Sequence, residues 1–90
     1  MAQKSMTDKE RALHRLKITR GHLNKVIDMV EKDAYCIDVI HQSQAVQKAL
    51  KEVDHVVLEK HLNSCVIDHI KQGKSKETIE EIMKVVRQNK

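Results

Sequence analysis

Two side chains that can bind a metal ion, His61 and Cys65, lie four residues apart in a run with helical character. On a helix this spacing places both side chains on one face, with Cβ atoms about 5 to 6 Å apart. Metal–nitrogen and metal–sulfur bonds of roughly 2.0 to 2.3 Å fit that gap. The pair alone is a weak signal, because a surface histidine beside a buried cysteine gives the same spacing.

The second cysteine, Cys36, can join this pair only if two chains come together. It lies 25 residues (61 − 36) before His61, which is roughly 37 Å along a straight helix. If two copies pack antiparallel, Cys36 of one protomer lies beside His61 and Cys65 of the other, and two-fold symmetry makes two equivalent sites. Two thiolates and one imidazole suit three-coordinate Cu(I), whereas a water or His69 as fourth ligand suits Zn(II).

Long helices are needed to position these residues, and the composition favours them. The chain has no Pro, no Trp, no Phe and only two glycines, so few positions can break a helix. Thr7 and Glu10 form a capping box, Asp33 is a candidate N-cap, and Gly73 and Ser75 suit a helix end followed by a new N-cap. The pattern predicts an all-α single domain over residues 1–90, with a flexible N-terminus (1–6) and three helices at about 8–31, 34–71 and 76–88.

The predicted second helix needs a second copy of itself to cover its apolar face. At about 1.5 Å per residue it is some 50 Å long, too long to bury its apolar face on one shorter helix. The first helix also carries a heptad-like apolar stripe, and a chain of 90 residues buries only about 60 to 65% of its unfolded surface. The sequence therefore predicts self-association through an antiparallel pair of second helices. The stripe of the first helix comprises Leu13, Leu16, Leu23, Ile27 and Val30.

Positive charge is concentrated at the start of the chain. Residues 1–26 contain seven Lys or Arg against two acidic residues, an excess of five (7 − 2), while the whole chain has a formal charge of +4. Such a helix suits nucleic acid better than membrane, because no bulky apolar anchors accompany the charges. No helix-turn-helix is visible, so any DNA contact must come from an assembled surface. The candidate DNA-binding residues are Arg11, Arg15, Lys17, Arg20, Lys48 and Lys51, with Arg15 the leading one.

The chain is expected to stay in the cytoplasm and away from membranes. No stretch approaches the roughly 20 apolar residues of a membrane span, and the N-terminal residues lack the apolar region of a signal peptide.

Four runs of residues resemble the CsoR family, the copper-sensitive operon repressors, over nearly the whole chain. They are Arg15-Leu16-Lys17, Arg20-Gly21-His22-Leu23, Asp33-Ala34-Tyr35-Cys36 and His61-Leu62-Asn63-Ser64-Cys65.

The resemblance implies a site and an assembly. It implies that Cys36, His61 and Cys65 bind Cu(I) in trigonal geometry across a dimer interface. Tyr35 and Glu81 match residues that link metal binding to the shape of the tetramer. The assembly it implies is an antiparallel helical dimer, paired into a disc-like tetramer that releases operator DNA when it binds copper.

Within that family the residues match the copper-sensing type. Nickel- and cobalt-sensing relatives carry an additional N-terminal His and a His in place of Cys65, formaldehyde sensors lack the second Cys, and persulfide sensors lack the His. This chain has Gln3, His61 and Cys65. It departs from many copper-type members where they carry an Arg in the second helix, since it reads Leu50-Lys51-Glu52 there, and Lys48 or Lys51 could take that place.

The sequence thus predicts a Cu(I)-sensing repressor that binds operator DNA in the metal-free form. One alternative is a repressor of the same fold that senses zinc or another thiol-reactive species. Alternatives of another class are a thiol enzyme, with Cys36 or Cys65 as nucleophile and His61 as base, and a helical scaffold. The enzyme needs a pocket and an oxyanion-stabilising loop, for which a chain with two glycines offers little material.

Overall fold

The structure, a computed structural model, describes residues 6–88, and every regular element in that range is an α-helix. The predicted all-α class is therefore confirmed. The expected flexible N-terminus falls almost wholly on residues 1–5, outside the described residues. The helices are α1 (Asp8–Glu31), α2 (Cys36–Asn63), α3 (Cys65–Lys71) and α4 (Ser75–Gln88).

The start of α1 follows the predicted capping box. The Thr7 side-chain oxygen accepts a hydrogen bond from the Glu10 backbone N–H at 3.1 Å. The Thr7 hydroxyl donates to the Glu10 carboxylate, also at 3.1 Å. The first of these bonds satisfies a backbone donor that the first turn leaves without a helical partner, and the second joins the two side chains, so that α1 begins at Asp8.

Asp33 closes α1, so its prediction as the N-cap of the second helix is wrong. Its φ is +55°, and its N–H donates to the Val30 carbonyl at 3.1 Å, while the Ala34 N–H donates to the Met29 carbonyl at 2.9 Å. This pair of bonds is the Schellman motif, which needs a left-handed residue just past the helix end. Asp tolerates that conformation better than most residues, and α2 begins only at Cys36.

The predicted second helix is divided in two at Ser64. The Ser64 hydroxyl donates to the Lys60 carbonyl at 2.7 Å, and its backbone adopts φ −135° and ψ −75°. The Ser64 N–H reaches back only to the His61 carbonyl, at 3.4 Å. A serine hydroxyl that bonds the carbonyl four residues earlier competes with the backbone ladder and bends helices. The expected run 34–71 is therefore α2 and α3, not one uninterrupted helix.

Gly73 ends α3 as the sequence predicts. Its N–H donates to the Ile70 carbonyl at 3.0 Å, the Lys74 N–H donates to the His69 carbonyl at 2.9 Å, and the φ of Gly73 is +78°. This is a second Schellman motif, with glycine at the left-handed position. Ser75 is the first residue of α4 rather than its cap, because the Lys74 carbonyl accepts from the Thr78 N–H at 3.1 Å.

The chain forms two compact units, and the boundary between them in the sequence lies between Val57 and Leu58. In the first unit α1 runs antiparallel to α2, since His22 bonds Gln42 at 2.7 Å and Arg15 bonds Glu52 at 2.9 Å. In the second unit α3 packs against α4. The buried residues are Thr19, Val46, Val53 and Val56 in the first unit, and Val66 and Thr78 in the second.

Few apolar side chains are buried in the described part of the chain. Within residues 6–88 the buried hydrophobic residues are all valines. The predicted stripe of α1 stays open to solvent, from 40% exposed at Leu16 to 58% at Val30. None of the described helices has both the length and the apolar character needed to cross a membrane.

Gly73→Ala is expected to lower the free energy of unfolding by about 1 kcal/mol. A left-handed backbone costs an L-residue roughly this amount. A Cβ atom at Gly73 would meet no atom within 4 Å, so the cost is conformational and not steric. Urea unfolding at one fixed protomer concentration measures the change.

Gly21→Ala is the matched control for this prediction. Gly21 lies inside α1, and a Cβ atom there also meets nothing within 4 Å. Alanine is the better helix former by about 0.5 to 1 kcal/mol, so this variant is expected to gain stability. Equal losses in the two variants would contradict a conformational role for Gly73.

Candidate metal centre

The first unit supplies one of the predicted metal ligands, at the start of α2. Cys36 is the first residue of that helix and is an exposed, free thiol. Tyr35 directly precedes it and is 69% exposed, and its backbone carbonyl accepts from the Val39 N–H at 3.1 Å. The backbone of this turn is therefore held by the helix, while both side chains are accessible to a ligand or to another chain.

The second unit supplies the other two ligands, on either side of the break at Ser64. His61 is half-buried in the last turn of α2, and Cys65 is the exposed, free first residue of α3. The Ser64 oxygen lies 3.8 Å from the Cys65 sulfur, a weak hydrogen-bond distance for sulfur. The break, rather than an uninterrupted helix face, sets how the imidazole and the thiol are placed relative to each other.

His69, the alternative fourth ligand for zinc, lies next to His61. The two ring centroids are 6.1 Å apart, and the ring planes meet at 71°, an edge-to-face contact. His69 is half-buried in α3. Even so, the described residues of this chain contain no group of three or more His, Cys, Asp or Glu side chains placed to hold one ion.

The donor types fit a soft metal ion. The sulfur atoms of Cys36 and Cys65 are accessible and form no disulfide, and thiolate with imidazole is the donor set that Cu(I) and Zn(II) prefer. Glu81, which the resemblance predicts to couple metal binding to assembly, is exposed in α4, in the same unit as His61 and Cys65.

The candidate DNA-binding residues lie on α1 and α2 of the first unit. Arg11 pairs with Asp8 at 3.3 Å on its own helix, and Arg15 pairs with Glu52 of α2 at 2.9 Å. The pairing of Glu52 with Arg15 is not predicted by the sequence, because residues that are 37 positions apart leave no local signal. The remaining candidates are exposed: Lys17 and Arg20 on α1, and Lys48 and Lys51 on α2.

Comparison with known protein families gives a match over nearly the whole chain. The family described as metal-sensitive transcriptional repressor matches residues 8–88. The copper-sensing transcriptional repressor CsoR of Mycobacterium ulcerans is 43% identical over 83 residues, which are 91% of this chain and 71% of that protein.

Two solved structures share the fold. The copper-sensing repressor CsoR with Cu(I) from Geobacillus thermodenitrificans is 36% identical, with a TM-score of 0.79, and the match covers 98% of this chain and 92% of that one. The nickel-responsive transcriptional regulator InrS is 26% identical, with a TM-score of 0.71, covering 100% and 98%. Regulators named for different metals therefore share this fold, so the fold alone does not identify the metal.

Ser64→Ala is expected to raise both the helical signal and the free energy of unfolding. Serine-to-alanine changes inside helices gain about 0.5 kcal/mol from propensity alone. At position 64 the change also removes the hydroxyl that competes for the Lys60 carbonyl. Far-ultraviolet circular dichroism and urea unfolding measure the two effects.

Ser43→Ala is the matched control, because Ser43 lies inside α2 and its hydroxyl oxygen accepts from the Gln47 side chain instead, at 3.3 Å. The gain at Ser64 should exceed the gain at Ser43. The same gain in both variants would show that the Ser64 hydroxyl does not cause the helix break.

Proposed function

The chain belongs to the family of metal-sensitive transcriptional repressors, and on that premise we propose that it binds operator DNA in its metal-free form and releases the DNA on binding Cu(I). It is a regulator and not an enzyme, which sets aside the thiol-enzyme and scaffold alternatives. The observation that carries the choice of metal is the similarity to copper-sensing repressors along nearly the whole chain.

The proposed ligands are Cys36 of one protomer with His61 and Cys65 of another. Cu(I), when bound, supplies a soft ion that accepts two thiolates and one imidazole. Cys36 and Cys65 are both exposed, as a site shared between chains requires. The task of these residues is to join two protomers in one geometry.

A homodimer, paired into a homotetramer, is the proposed assembly. The support is the apolar surface left open on the helices, since Leu16 and Val30 of α1 and Ile79 and Val86 of α4 are all 40% exposed or more. Complete burial of an exposed side chain of this size is worth about 1.5 to 3 kcal/mol, and covering the part of each that is still exposed is worth about half of that. A second copy of the chain offers matching apolar faces.

Tyr35 and Glu81 are proposed to connect the metal ligands to the assembly. Tyr35 is adjacent to Cys36, and Glu81 lies on α4, whose apolar face is exposed. A coupling free energy of about 3 kcal/mol between metal and DNA would weaken operator affinity roughly 150-fold. Tyr35 and Glu81 are proposed to transmit a shift of this size toward the form that holds DNA poorly.

The proposed DNA surface consists of the candidate Lys and Arg residues of α1 and α2, called the basic surface below, with Arg15 as its central contact. Lys and Arg side chains bind phosphate oxygens and fix the register of a protein on the duplex. Sequence preference can then follow from the shape of the DNA. A repressor acts on chromosomal DNA, so the proposed location is the cytoplasm.

Zn(II) is the second candidate effector, and His69 is the observation that favours it. Its ring lies 6.1 Å from that of His61, centroid to centroid, and its nitrogen, as the fourth donor, would complete a tetrahedral zinc site. Titration of the DNA complex with each metal separates the candidates. Release by Zn(II) that is lost in His69→Ala would favour zinc.

Mixing two inactive variants is expected to restore Cu(I) binding. In an antiparallel dimer of Cys36→Ala with Cys65→Ala, one site loses both cysteines and the other keeps its full ligand set. An equal mixture that exchanges randomly should then bind about a quarter of the wild-type amount of Cu(I). Titration against a competing Cu(I) chelator, after unfolding and refolding the variants together, measures the recovery.

Each variant refolded alone is the control and should show no high-affinity Cu(I) binding. If the mixture stays as inactive as its components, the ligands do not come from different protomers.

Cys36→Ala is expected to give a repressor that no longer responds to copper. The change leaves the basic surface intact, so the metal-free affinity for DNA should be unchanged, while added Cu(I) should no longer cause release. Fluorescence anisotropy with an operator duplex selected from a random library by the wild-type protein measures both. Release of DNA from this variant at the wild-type Cu(I) concentration would contradict the mechanism.

A further inference from the structure

The ion pair between Arg15 and Glu52 joins the two helices that carry the basic surface. Arg15 Nη1 lies 2.9 Å from Glu52 Oε2, and the side chains are 45% and 48% exposed. A pair at this degree of exposure is weak and can exchange one partner for another. Both groups are open to solvent, so a polyanion can reach the guanidinium and displace the carboxylate.

The surroundings of Arg15 hold its backbone in place, while its guanidinium can exchange one hydrogen-bond acceptor for another. The buried Thr19 donates its hydroxyl to the Arg15 carbonyl at 2.7 Å, which ties this turn of α1 to a residue in the helix interface. Among the described residues 6–88, the carboxylate of Glu52 is the group that holds the guanidinium. Carboxylate and phosphate oxygens compete for the same planar set of N–H donors.

We propose that Glu52 competes with DNA for the Arg15 guanidinium and thereby sets the affinity of the repressor for DNA. The proposal rests on the proposed function, in which Arg15 contacts phosphate. DNA binding must first break the Arg15–Glu52 pair and then hold a carboxylate near the phosphates. Glu52 thus weakens the complex twice, through the pair it forms and through the charge it keeps.

The Arg15–Glu52 pair joins two helices, whereas the ion pair of the neighbouring Arg11 lies within one helix. Arg11 pairs with Asp8 three residues away on α1, so that pair moves with its helix. Arg15 and Glu52 lie on different helices, which the hydrogen bond between His22 and Gln42 also joins. The strength of the competition therefore depends on the spacing of α1 and α2.

Glu52→Gln is expected to bind a mixed-sequence DNA duplex about fivefold more tightly than wild type at about 50 mM salt. The gain should shrink as salt rises, because exposed charges are screened. Misfolding would lower affinity, so a gain cannot arise from it. Cu(I) stoichiometry should equal that of wild type, because Glu52 is not a metal ligand. Fluorescence anisotropy with a labelled duplex measures the affinities.

The double-mutant cycle with Arg15→Ala decides whether Glu52 acts through Arg15. In the Arg15→Ala background, Glu52→Gln should increase the affinity for DNA by less than half of the factor that it gives in the wild-type background. A full gain in that background would overturn the proposal, since the effect would then be general repulsion. Arg15→Ala without loss of affinity would overturn it as well, because Arg15 would not contact DNA.

Glu59→Gln is the control for net charge, since it removes one exposed carboxylate from α2 as Glu52→Gln does. It should change affinity by less than twofold, and a gain equal to that of Glu52→Gln would overturn the proposal. Failure of the proposed function appears differently, as wild-type protein that binds no DNA or keeps it after Cu(I) is added.

Discussion

Apolar helix faces that the chain cannot cover by itself are the constraint on which the rest of this structure depends. The buried hydrophobic residues among 6–88 are valines, while larger side chains such as Leu16 and Ile79 stay about half exposed. Burial of apolar surface is the main force that stabilises a fold, and a chain of 90 residues with a single aromatic residue has little of it to use alone. In the assembly that we propose, stability and association are one requirement, which a second copy of the chain would meet.

The same constraint gives meaning to the positions of the metal ligands. Cys36 begins α2 and His61 lies in its last turn, and residues so far apart on a helix cannot share one ion. If copies of α2 pack antiparallel, as we propose, the helix that needs a partner for its apolar face also needs one to complete its ligand set. Metal affinity and protomer association would then be linked, so that each strengthens the other. The break at Ser64, between His61 and Cys65, is where local backbone geometry enters this linkage.

The charged residues of α1 and α2 give these two helices a second proposed role, contact with DNA. Arg15 of α1 and Glu52 of α2 form an ion pair, so a candidate DNA contact is also a contact between helices. A residue that serves both purposes responds to helix spacing without touching the metal. This offers a physical route by which a change in packing can reach the DNA surface, and it needs no new contacts, only a different partner for one guanidinium.

The sequence by itself determined the features that depend on neighbours within about four residues. The all-α class, the start of α1 at the Thr7 cap and the end of α3 at Gly73 follow from local hydrogen bonds and backbone preferences, and the structure confirms them. The identities of the soft donors are likewise plain in the sequence, although their sharing between protomers remains a prediction. Tertiary structure alone decided the pairing of Arg15 with Glu52 and the exposure of the apolar stripes. The helix break at Ser64 is local as well, but the sequence did not predict it, because a hydroxyl and a backbone N–H compete there for the Lys60 carbonyl with similar energies. The ion pair and the exposure depend on which distant residues meet, and the helix break depends on a small energy difference between two local hydrogen bonds. The spacing of residues along the chain predicts neither.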